Sequence, residues 1–287
     1  MKRTTVVGVA LLAALAGCSI RQLAVKEMGS ALAGPAVAFA SDDDPDLIRA
    51  AAPFSLKLVE SLLEQSPRHP GLLLAATRGF TQYAYAFVQS DAEELEERDL
   101  AAARRLEDRA RRLYRRARDY GLRGLGDRPL DALETRDAGL AYWTAASWGA
   151  LISLSKDEPE VLAERSAMDA LVRRALELDE AYDQGAIHTF LIAYEMAQPG
   201  NPRDAAKRAR AHFARAVELS RGAAAAPYVT LAEAVCVAEE RRTEFTALLE
   251  KALTLDTTRS NDLRLANLIA QRRARWLLSR AERLFIQ

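Results

Sequence analysis

The side chains of this sequence that could do chemistry are three histidines, 40 carboxylates, two cysteines and a small set of aromatics. His69, His188 and His212 lie far apart without the spacing of a metal-ligand set, His69 in a turn and His212 on a helix face between arginines. The sequence has no glycine-rich phosphate loop, no nucleophile elbow and no His-Glu-x-x-His pair. Its carboxylates crowd helical stretches beside arginines, the pattern of solvated ion pairs and not of an acid/base couple. No catalytic residue, metal site or cofactor is therefore expected. What remains is two aromatic stretches, residues 79–88 and 140–152. Tyr83, Tyr85, Phe87, Trp143 and Trp148 could line an apolar cavity, with Gln82, Lys156 and Arg272 as polar partners, which suits a small-molecule site. The plainer alternative is that aromatics at helical spacing fill the core. In a helix Tyr83 and Phe87 share one face and Tyr85 takes nearly the opposite one.

The start of the chain carries its own chemistry. Lys2 and Arg3 precede an eleven-residue apolar run, Val6 to Ala16, that is too short for a spanning helix of about 20 residues. The run ends in Leu15-Ala16-Gly17-Cys18, which resembles the bacterial lipobox, where the cysteine thiol accepts the lipid and becomes the first mature residue. Residues 1–17 are thus expected to be a lipoprotein signal peptide, and Cys18 a lipidation site attaching the chain to a membrane. Ser19 after it points to the outer membrane. Cys236, in the run Ala234-Val-Cys-Val237, is left without a disulfide partner and reads as a small buried hydrophobe.

The elements that would position these groups are all helical. Alanine, leucine, arginine and glutamate dominate, and no segment reads as a strand. The 40 basic and 40 acidic residues cancel, which argues against a nucleic-acid binder. Without residues 1–17 the balance is 38 against 40, a charge of −2. Residues 18–40 read as a lipidated N-terminus, a short helix over 20–32 and a tether with a break at Gly34-Pro35. In the acidic triplet that follows, Asp44 before Pro45 is a helix cap, a simpler reading than a metal site. That helix runs to about Gln65, and the next, from Gly71, is apolar nearly all round. An arginine-rich helix extends to Tyr120, ended by Gly121 and Gly124. Residues 126–137 look like a loop, and Asp157 with Glu160 forms an acidic capping box. Helices then cover roughly 158–178, 180–197, 203–220, 226–238, 241–254 and 261–285.

Five of these helices repeat one apolar triplet at offsets of four and seven: Ser55/Val59/Leu62, Ala110/Tyr114/Ala117, Met168/Val172/Ala175, Ala209/Phe213/Ala216 and Phe245/Leu249/Ala252. The last two intervals between triplets, 41 and 36 residues, approach the tetratricopeptide period of about 34. The fold class is all-α: a tetratricopeptide-like array of about 11–13 helices in one compact superhelical domain over 41–287.

Six stretches carry a family resemblance: Phe39-Ala-Ser-Asp-Asp-Asp-Pro45, Gly79-Phe-Thr-Gln-Tyr-Ala-Tyr-Ala-Phe-Val88, Tyr114-Arg-Arg-Ala-Arg-Asp-Tyr-Gly121, Tyr142-Trp-Thr-Ala-Ala-Ser-Trp-Gly149, Leu154-Ser-Lys-Asp157 and Leu265-Ala-Asn-Leu-Ile-Ala-Gln-Arg-Arg-Ala-Arg-Trp276. Through them the mature chain resembles the T-component lipoproteins associated with TRAP transporters, over nearly all of residues 18–287. The resemblance implies a periplasmic, non-catalytic homotrimer. It implies docking to a substrate-binding protein and delivery of a small hydrophobic or organic-acid ligand. The alternative role is a tetratricopeptide scaffold in cell-envelope assembly. An envelope hydrolase would need an acid, base or nucleophile converging in one pocket.

Overall fold

The computed structural model describes residues 37–285, and its regular structure is helical throughout. The signal peptide, Cys18, Ser19 and the helix expected over 20–32 lie outside the described residues. After a single turn, α1 (Val37–Ala40), come α2 (Pro45–Gln65) and α3 (Pro70–Tyr83). α3 continues without a break through a π-helical segment (Ala84–Gln89) into α4 (Ser90–Leu95). The longest helix, α5 (Leu100–Leu125), is followed by two 3₁₀ turns, then α6 (Ala138–Leu154), α7 (Pro159–Ala163) and α8 (Arg165–Leu178). The array is completed by α9 (Tyr182–Met196), α10 (Pro202–Leu219), α11 (Ala226–Leu231), α12 (Arg242–Leu253), α13 (Arg264–Ser279) and α14 (Ala281–Leu284). A second π-helical segment, Ala232–Cys236, prolongs α11.

Local chemistry sets most of these boundaries. Asp44 accepts from the backbone N–H groups of Asp46 and Leu47, both at 3.0 Å, with Pro45 at the first helical position. His69 Nδ1 likewise accepts from Leu72 N–H at 3.2 Å to start α3. Two sequence expectations need correction. α5 does not stop at Gly121 or Gly124 but at Gly126, whose φ of 63° is in the left-handed region. Gly121 serves instead as a contact point: a Cβ there would lie 2.0 Å from Thr144 Oγ1, so its absence lets α6 approach. Nor do Asp157 and Glu160 form a capping box. Glu158 is the cap residue of α7 without a side-chain cap bond, and Asp157 reaches Arg111 at 3.5 Å.

The apolar triplets form the core as their spacing requires. Ala110, Tyr114 and Ala117, Met168, Val172 and Ala175, and Phe245, Leu249 and Ala252 are all buried. Ser55 and Phe213 are only half-buried. The largest apolar cluster runs through α2 to α9, a second joins α11 to α13, and Ile192, Ala206, Ala209, Leu231 and Val235 bridge them where α9 packs on α10. Cys236 is buried with a free thiol, pushed up to about 12 by burial.

The last long helix folds back onto the first. Leu265 and Ile269 of α13 pack against the N-terminal core, and Arg264 donates to the Ser41 carbonyl at 3.3 Å. Further along, Arg272 pairs with Asp91 at 3.1 Å and Glu94 at 3.0 Å, Arg273 pairs with Glu93, and Arg280 pairs with Glu97 at 2.7 Å. The array is thereby closed on itself.

Candidate functional site

Arg78, Gln82 and Tyr85 stand at offsets of four and seven, so they share one face of α3 as it enters the π-helical segment. Wide π turns are frequent at functional sites because they re-aim side chains without ending the helix. Tyr85 is 49 % exposed, yet burial is the largest influence on its hydroxyl, which is raised to about 12. Glu233 raises it further, Arg273 lowers it and Glu93 raises it. Solvent reaches this ring, and charged side chains of neighbouring elements act on its hydroxyl. Among the described residues no protein group hydrogen-bonds its hydroxyl. The residues acting on it come from α4, the second π-helical segment and α13.

The same surface continues toward the start of α9. Asp183, Gln184 and Gly185 take successive left-handed conformations, with φ of 46°, 55° and 89°. Such a run costs about 1–2 kcal/mol at each non-glycine residue and persists only where the surroundings impose it. Gly185 is clamped against α10, where a Cβ would sit 3.2 Å from Ala216 Cα. The strained turn directs Asp183 toward Arg78. Its carboxyl is exposed but pushed upward, mostly by burial, with Arg78 pulling it down and Asp262 pushing it up. Tyr182 beside it accepts from Trp143 Nε1 at 3.1 Å and is raised by burial. A ring packed over Gly139 holds it: a Cβ there would meet Tyr182 at 2.8 Å.

At the other end Arg273 is the central ion. Its side chain is only 13 % exposed, it pairs with Glu93 and Glu233, and these carboxylates hold its pKa above the usual range against the opposing effect of burial. Its guanidinium also lies over Trp276, 4.2 Å from the ring centroid. This surface therefore alternates cation and anion, Arg78 with Asp183 and Arg273 with Glu93 and Glu233, around an accessible phenol. It can orient a small molecule carrying polar groups at more than one end.

The residues singled out from sequence divide into groups. Gln82 and Tyr85 are exposed on the inner surface. Tyr83 and Phe87 turn the other way and are buried: Arg109 donates to the Tyr83 hydroxyl at 3.3 Å, and Arg49 lies over Phe87 at 5.0 Å. Trp143 is buried behind Tyr182, and Trp148 is buried where α7 meets α8, donating to Glu164 at 2.6 Å. Lys156 is exposed in the loop after α6. Arg272 belongs to the closing seam with Asp91 and Glu94. Arg78, Asp183, Glu233 and Arg273 were not singled out. Arg78 alone had a readable signal, its place seven residues before Tyr85 on the same face. The histidines also gain a relationship: His188 and His212 meet at 2.8 Å between their Nδ1 atoms, and His188 Nε2 lies 3.2 Å from Glu180. No group of three metal-ligating side chains occurs among the described residues.

Fold and site together define a class: an all-helical array closed on itself, with a charge-alternating surface around an exposed phenol. Residues 41–285 match the family model described as TRAP transporter T-component, and the chain belongs to that family. It is also similar to an uncharacterized protein of Treponema pallidum (strain Nichols), 29 % identical, in a match that covers 94 % of each chain. The family is an accessory component of TRAP transporters, which places the chain with a transport system of the cell envelope and suggests a non-catalytic role. No described helix is long and apolar enough to cross a membrane.

Proposed function

We propose that this chain is a lipid-anchored periplasmic lipoprotein that works with a TRAP-type transporter. It docks the substrate-binding protein of that system and receives or passes on a small hydrophobic or organic-acid ligand at its inner surface. On this reading residues 1–17 are removed, Cys18 carries the lipid, Ser19 directs the protein to the outer membrane, and a tetratricopeptide-like domain over 41–287 assembles as a homotrimer. Tyr85 is the observation that carries the proposal. A phenol reached by solvent, beside charges from three other elements and unpaired by protein, is placed for a ligand and not for core packing. Gln82, Arg78 and Asp183 supply polar contacts beside it. Trp143 holds Tyr182 in position, and carboxylate-bearing ligands would pair with Arg78. Nothing in this role requires bond chemistry at the site.

The partner half of the proposal is tested with the full-length lipoprotein and the substrate-binding protein of its own transporter. Native mass spectrometry should give a trimer carrying the partner, with one partner bound per protomer at saturation. A monomer that leaves the partner unbound would overturn the docking role.

A further inference from the structure

The long helix α5 carries two rows of arginine with different surroundings. Arg111, Arg115 and Arg118 are paired across to the next layer: Arg111 and Arg115 reach Glu158 at 3.3 and 3.0 Å, and Arg118 reaches Glu164 at 2.7 Å. The other row is Arg105, Arg109, Arg112, Arg116 and Arg123. At 100° per residue these five fall within a narrow sector of one face, and they span about 27 Å of helix. All are exposed, and among the described residues only Arg116 meets a carboxylate, Glu60 at 3.5 Å. Three of them instead lie over aromatic rings: Arg109 over Tyr83 at 5.7 Å, Arg116 over Phe80 at 5.4 Å and Arg123 over Tyr120 at 4.8 Å. An open groove of about 490 Å³ follows the same row, lined by Arg112, Arg115, Arg116, Asp119, Tyr120 and Arg123. In a chain with no net charge this is a segregated line of cations.

We propose that this face of α5 lies against an anionic phospholipid surface, the guanidinium groups contacting headgroup phosphates. A guanidinium resting over a ring still has N–H donors to spare for phosphate oxygens, although Arg109 spends one on the Tyr83 hydroxyl. The choice of lipid over an acidic protein rests on what borders the row. Glu60 of α2 receives Arg116 and Tyr120; next round that helix comes Lys57, 69 % exposed, and then the exposed apolar pair Phe54 and Leu47, at 74 % and 56 %. A basic row with exposed apolar side chains on the helix it touches is the pattern of an interfacial surface. The inference rests on the lipid-anchor reading only in that the anchor would bring the chain to the membrane. An anchor at Cys18 attaches the chain without selecting a face. The arginine row would select it.

The test uses the full-length lipidated protein in vesicles of phosphatidylcholine with or without phosphatidylglycerol, reading phenylglyoxal modification of each arginine by mass spectrometry. Arg109 and Arg123 should be modified about tenfold more slowly in the anionic vesicles, and high salt should remove the protection. R105E/R112E changes two residues without intramolecular carboxylate partners and should reduce that protection to less than about threefold. R203E/R275E, with the same change in net charge elsewhere, should leave it intact. Equal modification in both vesicles overturns the proposal, and so does protection in both that salt does not alter, which would mark a protein contact. If Cys18 carries no lipid, the protein will not pellet with phosphatidylcholine. The row then predicts pelleting with phosphatidylglycerol alone, and failure there overturns the proposal separately from the anchor.

Discussion

Arg273→Met isolates the contact that closes the array. Arg273 is 13 % exposed and pairs with Glu93 and Glu233, whose side chains are 28 % and 36 % exposed. Removing one member of a buried pair costs about 3–5 kcal/mol because the partner charge is stranded, but solvent at these glutamates reduces that to about 2 kcal/mol. Loss of the guanidinium over Trp276 adds about 1 kcal/mol. The total of about 3 kcal/mol corresponds to a fall in Tm of about 6–12 °C for a domain of this size. Urea denaturation of wild type, Arg273→Met, Glu233→Gln and the double variant would measure it. Glu233→Gln removes one of the two stranded charges, so the double variant should lose at least about 1 kcal/mol less than the sum of the singles. A loss below about 0.5 kcal/mol for Arg273→Met would refute the view that α13 is clamped through this ion, and additive singles would refute its coupling to Glu233 on the second π-helical segment.

Gly121→Ala would press a methyl into Thr144 and should cost about 2–3 kcal/mol, with Thr144→Ala restoring part of it in the double variant; thermal unfolding checks both. Gly185→Ala combines a φ of 89° with contact on Ala216 and should cost at least about 2 kcal/mol, read in the same assay. His188 and His212 make stability depend on acid. Both are held below the ordinary value of 6.5, chiefly by burial, against the raising influence of Glu180 on His188 and of Glu195 on His212. Arg215 lowers His188 further, and His188, Arg173 and Arg208 lower His212. The fold therefore keeps them neutral while the unfolded chain binds protons as pH falls through 6.5, so stability must decline below that point. Urea midpoints should drop from pH 7 to pH 5, and this slope should flatten in His188→Gln/His212→Gln.

The scaffold was legible because helical spacing alone decides which residues can be buried together. Ala110/Tyr114/Ala117 and Phe245/Leu249/Ala252 follow from the 3.6-residue period, and Asp44-Pro45 follows from cap chemistry. Gly121 misled because a glycine near a helix end resembles a stop signal, whereas here it makes room for Thr144 on another helix. That distinction depends on a neighbour 23 positions away. The acidic residues before α7 misled similarly, since the arginines of α5 draw Asp157 and Glu158 outward. The inner surface was half legible. Gln82 and Tyr85 stood out from their composition and phase. The π segments leave no mark in residue type, however, and neither does the closure that brings Arg273 and Glu233 beside Tyr85. Trp143 and Trp148 stand out through size, and each donates to a half-buried acceptor, Tyr182 and Glu164, as a large indole in a core requires.

The central claim is that the surface around Tyr85 receives a small molecule. Native mass spectrometry of gently purified full-length protein, before and after denaturation, would test it most directly on wild type and Arg78→Ala/Tyr85→Ala. The account predicts that wild type releases a bound organic molecule and that the double variant, folded with an unchanged circular dichroism spectrum, releases little or none. An empty wild-type protein that also takes up no hydrophobic or organic-acid ligand, or equal occupancy in both proteins, would contradict it.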